Sequence, residues 1–117
     1  GYPDVSLAGH NYGIYIGGTL QVGSGTSASA PTVAAFVSII NSELKKAGKA
    51  SVGFLNPTLY KHGTSIANDI TSGENNCLET GTCCSEGFYC AKGWDPVTGF
   101  GSVDYTMQAC CRLRSVG

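Results

Sequence analysis

Charge is scarce in this sequence, at 13% of 117 residues, and seven Lys+Arg nearly balance eight Asp+Glu. A formal net charge of −1 leaves no basic surplus to hold a phosphate backbone or anionic lipid, which removes both as leading partners. Long apolar runs are missing as well. The longest, Ala34 to Ile40 with Ser38 inside it, is far too short to span a bilayer. There is no internal repeat and no block of like charge. Gly23-Ser24-Gly25 has no Lys after it at the spacing of a phosphate loop. No initial Met and no signal peptide are seen, and the start at Gly1-Tyr2-Pro3-Asp4 is that expected of a processed product or a fragment.

What remains is a chain of 12.1 kDa whose 42% hydrophobic content suffices for a packed core in one domain or part of one. Six cysteines are many for this length. Cys77, Cys83, Cys84 and Cys90 cluster, and Cys110 and Cys111 follow. Such loops point to disulfides and an oxidising compartment. A zinc site would favour a Cys-x-x-Cys pair or a nearby His, and neither is present. Bridges between the neighbours Cys83-Cys84 or Cys110-Cys111 are geometrically strained, so each sulfur is expected to pair elsewhere, within the chain or with a second one.

Short β-rich runs at Tyr2–Leu7, Tyr12–Ile16 and Thr19–Val22 read as strands. Gly17-Gly18 between the last two is of hairpin length. A helix is expected from Ser27 or Ser29 to Lys46, with Val33, Phe36, Val37, Ile40 and Leu44 at helical spacing. Pro31 would fall in its first turn. Lys45, Lys46 and Gly48 suit its end, and its small, apolar first half predicts burial. Asn56-Pro57 reads as the start of a shorter helix ended by Gly63. Residues 64–101 read as a long irregular region of the kind that is functional or tied down. Ser102 reads as the cap of a last helix running to about Leu113.

The chemically informative stretch is Ser24-Gly25-Thr26-Ser27-Ala28-Ser29-Ala30-Pro31. A serine at a strand-to-helix junction, flanked by small residues, suits an acyl-transfer nucleophile. A peptide carbonyl can approach, and the serine's unpaired first-turn N–H can face a developing oxyanion. Taken alone, Ser27 could equally be an N-cap.

Gly25-Thr26-Ser27-Ala28-Ser29-Ala30-Pro31 resembles the nucleophile motif of the subtilisin-like clan. With Ser29 where Ala is usual, it is similar to that of the sedolisin family, the serine-carboxyl peptidases. Tyr2-Pro3-Asp4-Val5-Ser6 resembles that family's strand before the nucleophile, and Gly53-Phe54-Leu55-Asn56-Pro57-Thr58-Leu59-Tyr60 the start of one of its helices. Asn68-Asp69-Ile70-Thr71-Ser72-Gly73 and Gly93-Trp94-Asp95-Pro96-Val97-Thr98-Gly99-Phe100-Gly101 resemble its calcium segments. The matches run in order from residue 2 to about residue 104, and cysteines between the calcium segments suggest the tripeptidyl-peptidase-I-like branch.

The resemblance implies the C-terminal part, residues 1–117, of an α/β subtilisin-like domain, with a largely parallel sheet flanked by helices and completed by a second, N-terminal chain. It implies peptide hydrolysis at acidic pH through an acyl-enzyme on Ser27. The Glu base, its Asp partner and a protonated oxyanion Asp would lie on the absent N-terminal chain, which a disulfide could join to this one. It implies Ca2+ held by Asp69 and Asp95 carboxylates and by carbonyls of Ile70, Ala91 and Gly93, and a secreted, lysosomal or acidic vacuolar location. Six oxygens, one from water, suit a hard cation.

Within the chain, Glu43 lies roughly 24 Å along the helix from Ser27 and is excluded as the base. Glu79 sits in the cysteine loop without motif support. His10 and His62 read as surface or capping residues, Asp4 as a structural hydrogen-bonding group, and Trp94, Phe100 and Tyr105 as packing residues. A subtilisin-type protease with a His base and a non-enzymatic, disulfide-rich calcium-binding module are the alternatives.

Overall fold

A computed structural model of the chain describes residues 1–78 and 80–103. It divides into two compact units, one of residues 7–52 and one of residues 1–6 with residues from 53 onward.

The first unit is a hairpin followed by a long helix. β1 (Tyr12–Ile16) and β2 (Thr19–Gly23) pair antiparallel across the Gly17-Gly18 turn, with Tyr12 opposite Gly23 and Ile14 opposite Gln21. Alternation puts Tyr12, Ile14 and Ile16 on one face and Tyr15, Leu20 and Val22 on the other. Both faces carry exposed apolar side chains, including Tyr15, Ile16, Leu20 and Val22. α1 (Thr26–Lys46) follows. It begins earlier than expected, so Pro31 falls in the second turn. Lacking an N–H, Pro31 leaves the Ser27 carbonyl without its i+4 donor.

The expected burial of the first half of α1 is not found. Ile40 is the one fully buried residue of the helix, while Ala34, Ala35 and Ile39 are exposed. The apolar stripe is present, but this unit supplies no second layer to cover it. At the C-terminus the helix ends as expected, with Gly48 N–H bonded to the Lys45 carbonyl at 3.0 Å.

In the second unit α2 (Asn56–Ile66) is followed by β3 (Ala67–Asn68), which pairs antiparallel with β4 (Ser102–Val103). Leu59, Ile66 and Phe100 form a buried cluster with Val5, Ala67 and Trp94 against it. Tyr60 meets Phe100 edge-on, with ring centroids 5.2 Å apart. Trp94 is a packing residue as expected, and its Nε1–H donates to the Pro3 carbonyl at 2.9 Å.

Three expectations are corrected in this unit. Residues 2–7 form no strand, because Ser6 alone is bridged, parallel to Ser102. Helix α2 does not stop at Gly63, which lies inside it beneath the Phe100 ring, and Leu55 rather than Asn56 takes its cap position. Ser102 does not cap a helix, since it is paired in β4; the remainder of that expected helix, Cys110 and Cys111 among it, lies outside the described residues. Both small sheets are antiparallel, so the described residues form no parallel sheet of their own.

Candidate active site

The turn that carries Ser27 is set by its glycine. Gly25 adopts φ 145° and ψ 158° at the cap position of α1, a conformation reserved in practice for glycine. Its N–H donates to the Gly9 carbonyl at 2.6 Å, and its own carbonyl accepts from Ala28 N–H at 3.0 Å. The cap position is therefore filled by backbone, and Ser27 is not the N-cap. It sits in the first turn, exposed, and neither its hydroxyl nor its N–H is bonded to any described residue.

Ser27 opens on a cleft of about 330 Å³ lined by Tyr12, Ile14, Gly23 and Ser24 from the hairpin side and by Ser27, Ala28, Pro31 and Thr32 from the helix. The lining follows from periodicity. Tyr12 and Ile14 share a strand face, and positions 27, 28, 31 and 32 share a helix face. Two of the four hydroxyls there are committed. Thr32 Oγ1 donates to the Ala28 carbonyl at 2.9 Å, and Ser24 Oγ lies 2.9 Å from His10 Nδ1 while accepting from Asn11 N–H at 3.2 Å. Ser27 and Tyr12 carry the other two.

The five residues expected to hold a cation are drawn together in the second unit. Gly93 N–H donates to Asp69 Oδ2 at 2.8 Å, and Ala91 N–H to Asp95 Oδ2 at 3.0 Å. Asp95 is 1% exposed. Its Oδ1 accepts from the N–H groups of Val97 at 2.9 Å and Thr98 at 2.8 Å. Burial pushes this carboxyl up, but the N–H groups of Ala91, Thr98 and Val97 and the Thr98 hydroxyl outweigh it and hold its pKa below the usual carboxylate range. Asp69 Oδ1 is buried with no hydrogen-bond partner, and the carbonyls of Ile70, Ala91 and Gly93 accept from no described residue. One buried carboxylate oxygen without a donor, beside free backbone carbonyls, has the acceptor chemistry that suits a hard cation. The described residues hold no cluster of three or more metal-ligating side chains; this set relies on two carboxylates and backbone oxygens.

Comparison with known proteins bears on both sites. No family model matches the chain. The chain is 46% identical over 106 residues to physarolisin of Physarum polycephalum, covering 87% of this chain and 18% of that protein. It is 45% identical over 105 residues to aorsin of Aspergillus oryzae, covering 90% and 15%. Tripeptidyl-peptidase 1 of Dictyostelium discoideum is 41% identical over 108 residues, covering 90% and 17%. Among solved structures, Pseudomonas sedolisin, a serine-carboxyl proteinase, superposes with a TM-score of 0.64 at 26% identity, covering 86% of this chain and 25% of that one. Over this segment the chain is a sedolisin-family homologue. It spans under a fifth of the length of these three curated relatives.

In this sedolisin-family segment the other candidate acids and bases have separate employment. Glu43 pairs with Lys46 at 2.8 Å on the exposed side of α1. His10 bonds Ser24 rather than Ser27. Asp4 accepts from Tyr60 Oη at 2.7 Å and Asn56 Nδ2 at 3.3 Å, the structural role expected of it, and it raises the Tyr60 pKa through that hydrogen bond. His62 lies within α2, and Glu79 falls outside the described residues. Cys77 and Cys83 form a disulfide and Cys84 stays out of it, so the neighbours are not bridged.

Sequence reasoning missed Ser29. Its hydroxyl spans the Leu7 carbonyl at 3.3 Å and the Ala8 carbonyl at 3.0 Å, tying the chain before β1 to the first turns of α1. Gly9 makes room, since a Cβ there would lie 2.9 Å from that hydroxyl. The departure from the usual Ala was the available signal. The Ser24–His10 bond had none, because its partners are 14 residues apart.

Proposed function

We propose that this chain is the nucleophile-bearing part of an acid-acting serine-carboxyl peptidase. The observation that carries the reading is the Ser27 hydroxyl, exposed in a cleft and unbonded in the first turn of a helix, within a segment whose relatives are peptidases. Ser27 Oγ attacks the peptide carbonyl, and its proton passes to a Glu on the N-terminal part of the catalytic domain, supported by an Asp. The Ser27 N–H, aided by the helix dipole, donates to the oxyanion together with a protonated Asp from that same part. A carboxylate base beside a carboxylic-acid donor works only in acid. Deacylation by water returns the free hydroxyl.

The partner is an N-terminal chain of the same domain, completing a largely parallel subtilisin-like sheet. The exposed hairpin face of Tyr15, Leu20 and Val22 and the exposed Ile39 of α1 support this, because an isolated two-stranded hairpin is at best marginally stable in water. Calcium held by Asp69, Ile70, Ala91, Gly93 and Asp95 would fix the loop through its charge and take no part in bond cleavage. A secreted or acidic vacuolar location fits the Cys77–Cys83 disulfide. Relatives named tripeptidyl-peptidases occur beside physarolisin and aorsin.

In the assembled enzyme, Ser27→Ala lowers kcat by about 10³-fold or more and leaves the melting temperature in place, because the hydroxyl holds nothing. Activity peaks at about pH 4, where carboxylates titrate. Native turnover by the variant overturns the assignment. A peak on the alkaline side of neutrality transfers the base role to a histidine.

A further inference from the structure

We propose that the cleft beside Ser27 receives an apolar side chain of the peptide substrate, from a residue flanking the scissile bond, and that Ile14 sets its depth. The proposal rests on Ser27 being the nucleophile. The cleft volume of about 330 Å³ is at the low end of the range for small-ligand sites, roughly 300–1,000 Å³. Its wall is built of the Tyr12 ring, the Ile14 side chain, the Ala28 methyl and the Pro31 ring. No lining residue carries a charge.

Two of the hydroxyls in that wall are turned to internal work. Thr32 is bonded to the Ala28 carbonyl, and Ser24 is shared between His10 and Asn11. An entering ammonium would lose water and meet no carboxylate to offset its charge. An entering alkyl or aryl group would replace water against carbon. Ile14 leans over Gly23, its diagonal neighbour on β2. A Cβ on Gly23 would lie 2.6 Å from Ile14 Cδ1, so the absence of a side chain at Gly23 admits Ile14 to the wall. Both strands therefore shape the opening, and the nucleophile sits in the opposite wall. A peptide whose carbonyl reaches Ser27 thus presents one neighbouring side chain to this carbon surface.

The experiment uses the complete, processed enzyme at its acid optimum, with active-site concentration titrated by a serine-directed covalent inhibitor. Two series of peptides are compared, one varied on the acyl side of the scissile bond and one on the leaving side, each carrying Ala, Leu, Phe or Lys. In one series the native enzyme prefers Leu or Phe over Lys in kcat/KM. Ile14→Ala moves the Phe-to-Ala ratio upward in that series and Ile14→Phe moves it downward, each by roughly tenfold or more. Tyr12→Leu, which enlarges the same wall, repeats the Ile14→Ala direction if Ile14→Phe does not fold. Ratios that stay at native values in both series overturn the pocket while leaving Ser27 as nucleophile. Continued activity of Ser27→Ala overturns both readings.

Discussion

The N–H of Gly93 donates to one carboxylate oxygen of Asp69 at 2.8 Å, while the other oxygen, Oδ1, is buried without a partner. A buried acceptor left unsatisfied ordinarily costs about 1–3 kcal/mol. A cation at that oxygen, as proposed above, would remove the penalty and tie together the two segments that carry Asp69 and Asp95, 26 residues apart in the chain.

If calcium occupies the proposed site, its removal is expected to destabilise the assembled enzyme. At a hundred times the dissociation constant, the ion contributes about 2.7 kcal/mol. At roughly 2–4 °C per kcal/mol for a domain of about 150–250 residues, that is a fall of several degrees in Tm on chelation. Readdition of calcium restores it, and Asp69→Ala abolishes the response while leaving Ser27 chemistry intact. Differential scanning calorimetry with elemental analysis is the check. An unchanged Tm after verified removal of the metal contradicts the site.

Gly25 gives a second prediction, in which conformation and not contact is at stake. The nearest atom to a Cβ at this position is Ser27 N at 3.8 Å, so there is room for a methyl group. The cost of Gly25→Ala is the backbone angle itself, φ 145°, about 1–3 kcal/mol. Relief of that strain would reorient the first turn that carries the Ser27 N–H, so kcat is expected to fall more than KM rises. Native kinetics together with native thermal stability would show that the turn is not strained for function.

Much of this was readable from local pattern. The hairpin strands were legible because Gly17-Gly18 separates two β-rich runs, and the end of α1 because Lys45, Lys46 and Gly48 mark it. Ser27 was legible as a first-turn serine with small neighbours, and the sequence could not exclude the N-cap role that Gly25 takes. What failed did so through tertiary context. Gly63 reads as a helix end until Phe100, 37 residues on, is seen to require its missing side chain. The strand expected over residues 2–7 and the buried face of α1 both need neighbours that the described residues do not provide. The partnerless Asp69 oxygen depends on the fold of a loop that carries no local periodicity.

Asp4 and Tyr60 give a pH prediction. The hydrogen bond to Asp4, then burial, then the Asp4 charge raise the Tyr60 pKa above its ordinary value of 10.0. A folded-state pKa above the unfolded one means that folding favours the protonated phenol. The contribution is complete below pH 10 and is lost as pH rises through the folded value. Tyr60→Phe should therefore lower stability at neutral pH and show a smaller further loss above about pH 10 than the native protein. Chemical denaturation at a series of alkaline pH values measures it. Parallel curves for the two proteins would mean that the bond does not form.

Gly63 supplies the last prediction, in which the sign is informative. Within an exposed helix, Gly→Ala is favourable by about 1 kcal/mol. At Gly63 the new methyl would run into Cγ, Cδ1 and Cδ2 of Phe100. That ring is buried with Leu59 and Ile66 and meets Tyr60 edge-on, so it has little freedom to withdraw. Overpacking of this kind costs about 1–3 kcal/mol, which reverses the propensity gain in all but the mildest case. Gly63→Ala is thus expected to lower Tm, and the loss should shrink in a Phe100→Ala background, where the methyl finds space. A higher Tm for the single variant would mean that α2 and Phe100 are not packed as described. An equal loss in both backgrounds would mean that the penalty arises elsewhere than at the ring.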